Sequence, residues 1–199
     1  MAPGWLDALE ADAPDVVAAF RGIEDGRFIS VRREVRRRAG AGSAERIAAE
    51  LRAVADALAA IIRTMPDEAF RMPGGEADWN VAQALNHDAS ARAGLVMAGA
   101  LAAAARWPDD APRVLPSVPG SPEATREDLL RKLEKSQRIV ERSAGTIAGH
   151  ETEPCPLDHP LVGRLRCGEW LLFAGVHDLM HLEQLHRLAG SMTSSVAAR

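Results

Sequence analysis

The side chains best suited to chemistry in this chain are histidines. His177 and His181 are four positions apart in the run His177-Asp178-Leu179-Met180-His181. On an α-helix four residues advance by ~400°, so the two imidazoles stand ~40° apart on one face, one turn above the other, where both can reach a single metal ion. Their face is otherwise apolar: Trp170, Ala174, His177, His181, Leu185 and Leu188 form one stripe. A buried imidazole without a partner costs on the order of 1–3 kcal/mol. Two in succession on a core seam therefore call for a partner, and a metal ion supplies one. The competing reading is a pair of core histidines bonded to backbone or to each other. His87 is the natural third ligand. It shares a helical line with Asn80, Ala84, Ala91, Gly94 and Ala98, mostly small residues that leave room around a ring.

The remaining polar candidates fit a metal site less well. His186 lies ~140° around the helix from His181 and is expected to be solvated. His150 stands at a helix end, where a cation suits the helix dipole. His159 with Cys155 offers half of a zinc site, but no second pair completes it. His-Asp-x-x-His is also similar to the zincin protease motif, yet the chain after His181 offers only Glu183 as an acid. Asp178 points ~100° away from the ligand face. It reads as a solvated acid, with a partnership to a neighbouring helix as the alternative.

Four long segments must position these residues. The first runs from Ser43 to Met65, with Ile47, Leu51, Val54, Leu58, Ile61 and Ile62 stepping by threes and fours and Pro66 as a stop. The second opens at Asn80, where Asn80 and Gln83 have capping-box spacing, and continues to about Arg106. A Pro-rich connection from Pro108 to Pro122 follows and is expected to shape a pocket mouth. Thr125 and Asp128 open the third segment, which ends near Gly149. A second connection, His150 to Arg166, leads to the fourth segment, Gly168 to Ala189, with Gly190 as its expected cap. The expected fold class is all-α: a four-helix bundle over residues 41–190, preceded by a helical extension of one or two short helices over 1–40 and followed by a flexible polar tail over 191–199.

Composition agrees with helix. Aromatic residues make up 4% of the chain and tyrosine is absent, whereas alanine and leucine abound. The net charge of -4 gives no global reason to expect nucleic acid. The exception is local: Arg32, Arg33, Arg36, Arg37 and Arg38 could neutralise phosphates, but read more simply as a solvated helix face. The opening residues lack a basic start and a long apolar run, and no stretch is long enough to span a bilayer, so a cytoplasmic location without membrane insertion is expected. There a Cys155–Cys167 disulfide is not expected. Trp5, Leu6 and Leu9 suggest that the first helix packs on the bundle or across a dimer.

Three stretches together resemble a known family. Asp158-His159-Pro160-Leu161-Val162-Gly163-Arg164-Leu165, then Glu169-Trp170-Leu171-Leu172-Phe173, then His177 through Leu185 resemble the last connection and helix of the DinB-like, YfiT-related metalloprotein superfamily. Trp79-Asn80-Val81-x-Gln83-x-Leu85-x-His87 resembles the start of that family's second helix. The resemblance covers about residues 43 to 190. It implies an up-down-down-up four-helix bundle and one divalent transition metal, often zinc or nickel, held by His87, His177 and His181. Imidazole itself suits zinc, nickel, iron and copper alike. Three neutral imidazoles leave coordination positions open, which is the catalytic pattern. The family includes thiol-dependent S-transferases and a mycothiol-dependent isomerase. The resemblance thus implies an enzyme acting on a small molecule, with a low-molecular-weight thiol as co-substrate. The alternatives are a non-catalytic metal-binding stress-response protein and a hydrolase that activates water. Homodimers are common in the family.

Overall fold

The computed structural model describes residues 4–23, 27–74, 78–111, 113–114 and 117–197, with side chains described as far as residue 188. Among these residues the chain is mostly helical, with one small sheet. Three short helices come first: α1 (Gly4–Glu10), α2 (Pro14–Phe20) and α3 (Ile29–Arg38). Four long ones follow: α4 (Ala44–Thr64), α5 (Val81–Ala103), α6 (Arg126–Ile147) and α7 (Cys167–Ala197). A hairpin of β1 (Pro154–His159) and β2 (Gly163–Arg166) precedes α7.

The long helices begin where their capping residues place them. Gln83 N–H donates to Asn80 Oδ1 over 2.8 Å, and Asn80 N–H donates to Gln83 Oε1 over 3.1 Å. Thr125 and Asp128 exchange the equivalent bonds at the start of α6, each 3.2 Å long. Both pairs satisfy amides that the helix itself leaves without acceptors. At the other end of α4, Met65 turns extended ahead of Pro66. α4 and α5 each pack against both α6 and α7, burying Leu51, Leu58, Val96, Leu129, Val140, Leu171 and Leu179 between them.

Three features differ from the sequence expectation. The connection over 150–166 is not an irregular loop: residues 154–166 form the hairpin, with Gly163 at φ 67° opening β2 directly after the turn over 160–162. Residues 4–38 hold three short helices instead of one or two, and their buried Val16, Val17, Phe20, Val31 and Val35 belong to the same core as the long helices. α2 lies so close to α7 that a Cβ on Gly175 would sit 2.9 Å from the Val16 methyls. Glu50 of α4 fastens the start of α2, accepting from the Asp15 and Val16 amides at 2.9 and 3.0 Å. The third difference is that α7 continues through Gly190 to Ala197, so the expected tail from Ser191 is helical as far as that residue. Glycine inside a helix costs only about 1 kcal/mol relative to alanine. Without a proline behind it, Gly190 need not end one.

α1 packs within the chain. Leu6 and Leu9 are buried in the common core, and Trp5 stacks on His186 at 4.8 Å between ring centroids. His186 is accordingly half-buried against an indole and not solvated. No helix among the described residues is long and apolar enough to cross a membrane.

Candidate metal centre

α5 packs against α7 with its small-residue face. Gly99 permits the approach, since a Cβ there would fall 2.8 Å from the carbonyl oxygen of Cys167. This pairing brings His87 of α5 to His177 and His181 of α7. Ring centroids are 5.5 Å apart for His87–His177, 5.7 Å for His87–His181 and 4.8 Å for His177–His181. One nitrogen from each ring lies within 4.8 Å of the other two, a cluster able to hold a metal ion.

The outer edge of each ring is already occupied. His87 Nδ1 meets the carbonyl oxygen of Val118 at 2.8 Å, His177 Nδ1 meets Asp88 Oδ1 at 3.2 Å, and His181 Nδ1 meets Gln184 Oε1 at 2.9 Å. All three partners are acceptors, so the ring proton belongs on Nδ1 and the lone pair on Nε2 of each ring. This is the usual outer support of a metal-ligating histidine: an acceptor fixes the tautomer and the ring's orientation. Val118 belongs to the Pro-rich connection, which thus does shape the site. Gly120 lets that connection lie on α5, because a Cβ there would meet Asn86 Cβ at 2.4 Å and Gln83 O at 2.6 Å.

A buried charge cluster underlies the rings, and sequence reasoning missed most of it. Arg92 of α5 is fully buried. It donates to Asp178 and Gln137, and to the Leu51 carbonyl oxygen at 2.7 Å. Asp178 is therefore not a solvated acid: it is fully buried, its Oδ2 on Arg92 and its Oδ1 without a hydrogen-bond partner among the described residues. Burial lowers the Arg92 pKa to about 10, which still leaves it cationic at neutral pH. Burial would raise the Asp88 carboxyl. The hydrogen bond from His177, with His181 and Arg92 nearby, outweighs that and holds its pKa below the ordinary value.

Arg92 pairs with Asp178, while Asp88 is bonded to His177 and has no lysine or arginine paired with it among the described residues, so carboxylates outnumber guanidinium beneath the three rings. That imbalance, the orphaned Asp178 oxygen and the inward lone pairs all suit a cation between the rings. One sequence signal could have exposed this cluster. Asp88 and Arg92 are the only acidic and basic residues of α5, four apart on a helix too apolar and small-residued to face water.

The other candidates settle elsewhere. Cys155 is buried, with its Sγ 3.6 Å from the Ala98 carbonyl oxygen, and its thiol pKa is raised by burial. His159 lies edge-on to Phe173 at 4.7 Å, and its Nδ1 accepts from the Leu161 amide, so the Cys155–His159 half-site does not form. Burial, with His177 nearby, pushes the His159 pKa down to about 4. Cys167 is a free thiol pushed up to about 12, by burial first and by Cys155 second. His150 is exposed and pairs with Glu153 at 2.7 Å. Much of the arginine cluster is engaged: Arg36 binds Glu169, Arg37 binds Glu34, and Arg38 binds both Asp15 and Glu34. Those pairs tie α3 to α7 and α2.

Beside the rings lies a cavity of about 490 Å³ whose wall includes His87 and His177. Comparison with protein-family models, with curated proteins and with solved structures gave no significant match.

Proposed function

We propose that the chain is a divalent-metal-dependent enzyme of the DinB-like class, with a four-helix bundle of up-down-down-up order. It activates a low-molecular-weight thiol for S-transfer or isomerisation at a three-histidine site. The observation that carries this reading is the position of the histidines. Two of them form part of the wall of a small-molecule-sized cavity, while Arg92 and Asp178 fill the space beneath. A purely structural ion would need no cavity at its edge.

Each residue then has a definite task. His87, His177 and His181 present Nε2 lone pairs. Val118 O, Asp88 and Gln184 hold the rings in that tautomer. Asp88 and Asp178 supply negative charge that Arg92 alone does not balance. A divalent ion held by these three rings, zinc or nickel first and iron next, would supply Lewis acidity toward a thiol or a water at neutral pH. The apolar cavity wall excludes bulk water and strengthens polar contacts inside. Among the described lining residues no side chain is an obvious general base, which favours a thiol, acidified by the ion itself, over chemistry that needs a separate proton acceptor. Hydrolysis with activated water is the second enzymatic reading, and a metal-binding stress-response role the non-catalytic one. The family likeness also carries a homodimer.

The test is elemental analysis of untagged protein beside His177→Ala, then addition of thiols to the cobalt-substituted protein. We expect about one ion per chain, lost in the variant, and a thiolate charge-transfer band. Stoichiometric metal without a band for any physiological thiol overturns the thiol chemistry. No metal in either protein overturns the centre.

A further inference from the structure

The cavity's own chemistry narrows what can enter it. Its volume of about 490 Å³ is in the range of small-molecule sites. Leu95, Leu157, Trp170 and Phe173 make its lining mostly apolar, and Ser90, Ala91 and Gly94 of α5 add small side chains to it. Among the described lining residues there is no lysine or arginine, and the one carboxylate, Asp158, is held by Arg164 at 3.2 Å. Away from the metal centre, an anion in this space would lose its hydration without meeting a protein cation.

Of the polar lining residues apart from the metal ligands, His159 is the one whose aromatic ring is held by packing. The Leu161 amide donates to its Nδ1 over 3.2 Å. An amide can only donate, so Nδ1 carries the lone pair and the neutral ring's proton is on Nε2. The ring cannot turn freely, because Phe173 packs against it edge-on and Trp170 stands 6.1 Å away. Among the described residues Nε2–H has no acceptor in the protein. His159 thus lines a mostly apolar cavity with a ring held in one orientation and with Nε2–H as its remaining donor. A ligand oxygen could satisfy that donor in place of water.

We infer that the cavity takes an uncharged, largely apolar molecule bearing a carbonyl oxygen, and that His159 donates to that oxygen from Nε2. This names a substrate class for the site already proposed. It rests on that reading only in facing the reacting end of the molecule toward His87 and His177. The hydrogen bond itself needs no metal.

Three probes of similar shape separate the contributions: acetophenone, ethylbenzene, which lacks the oxygen, and benzoate, which is charged. Each is titrated into the full-length metal-free protein by calorimetry, and into protein with ¹⁵N-labelled histidine by NMR. Acetophenone should bind at least tenfold more tightly than benzoate. The His159 Nε2 resonance should move with acetophenone and hold still with ethylbenzene. His159→Phe keeps an aromatic ring against Phe173 and removes the donor. It should weaken acetophenone about fivefold relative to ethylbenzene, the worth of one net hydrogen bond. If that variant does not fold, the NMR result on the unaltered protein decides alone. Failure of acetophenone to bind, parity with benzoate, or an Nε2 resonance indifferent to the carbonyl overturns the inference. Zinc titration separates the two readings. A protein that binds zinc but ignores the carbonyl loses only this inference, and one that binds acetophenone through His159 without binding zinc loses only the metal centre.

Discussion

Replacing Asp88 by asparagine tests whether the buried carboxylate serves the ion or merely the fold. The Asp88→Asn side chain would keep an oxygen able to accept from His177 Nδ1, now at 3.2 Å, but would lose the charge. Supporting acceptors of metal-bound histidines are typically worth 10–100-fold in metal affinity. Suppose free zinc is held at about 1,000 times the native Kd. Binding then stabilises the unaltered protein by ~4.1 kcal/mol. A Kd raised 10–100-fold shrinks that to roughly 2.7–1.4 kcal/mol at the same zinc concentration. For a chain of this size each kcal/mol moves Tm by ~2–4 °C, so the zinc-induced shift should fall by about 3–11 °C. The metal-free protein should behave oppositely. With position 88 neutral, Arg92 faces only Asp178, the excess negative charge is gone, and apo Asp88→Asn should melt no lower than the unaltered apo protein. The assays are competition with a chromophoric chelator for Kd and calorimetric melts with and without zinc. An unchanged Kd together with an unchanged zinc-induced shift would refute the role given to Asp88. A large loss of apo stability would show instead that the carboxylate is there to hold the helices.

Two further outcomes follow from the same geometry. Arg92→Leu leaves Asp178 buried without its cation, and removing one member of a buried pair typically costs about 3–5 kcal/mol; a chemical-denaturation midpoint within error of the unaltered protein would contradict the burial described. His159 has a folded-state pKa of about 4, below the ordinary value of 6.5, so the folded state takes up its proton later than the unfolded state as pH falls. Stability tied to that ring is intact above pH ~6.5 and falls as pH drops toward ~4, by about 1 kcal/mol once solvent screening of this half-buried ring is allowed for. His159→Phe should flatten this part of the stability–pH curve of the metal-free protein, and parallel curves for the two proteins would count against it.

Much of this protein was readable from residue spacing because helix is a local structure. The positions of α4, α5 and α6 followed from apolar periodicity and from two capping boxes, whose hydrogen bonds close within three residues. The pairing of His177 with His181 was equally local, being set by the helical repeat. His87 could be singled out by the small residues on its face, but not its distance from the pair, which depends on how closely α5 meets α7 at Gly99. Gly190 misled because a glycine permits a helix end without requiring one. The hairpin before α7 was hidden among prolines and glycines that suit a loop just as well.

What the sequence by itself determined was the set of helices and the two imidazoles that one helix must display together. What only the tertiary structure decided was the company those imidazoles keep. Asp88, Arg92 and Asp178 are ordinary surface residue types until α5 and α7 close on them. The reversal of Asp178 from expected solvated acid to buried ion-pair partner came from α5, 86 residues away in the chain. The physical reason is that hydrogen-bonded helical order is set by neighbours three and four residues apart, whereas desolvation and charge balance are properties of the packed interior, summed over helices that the chain brings together only on folding.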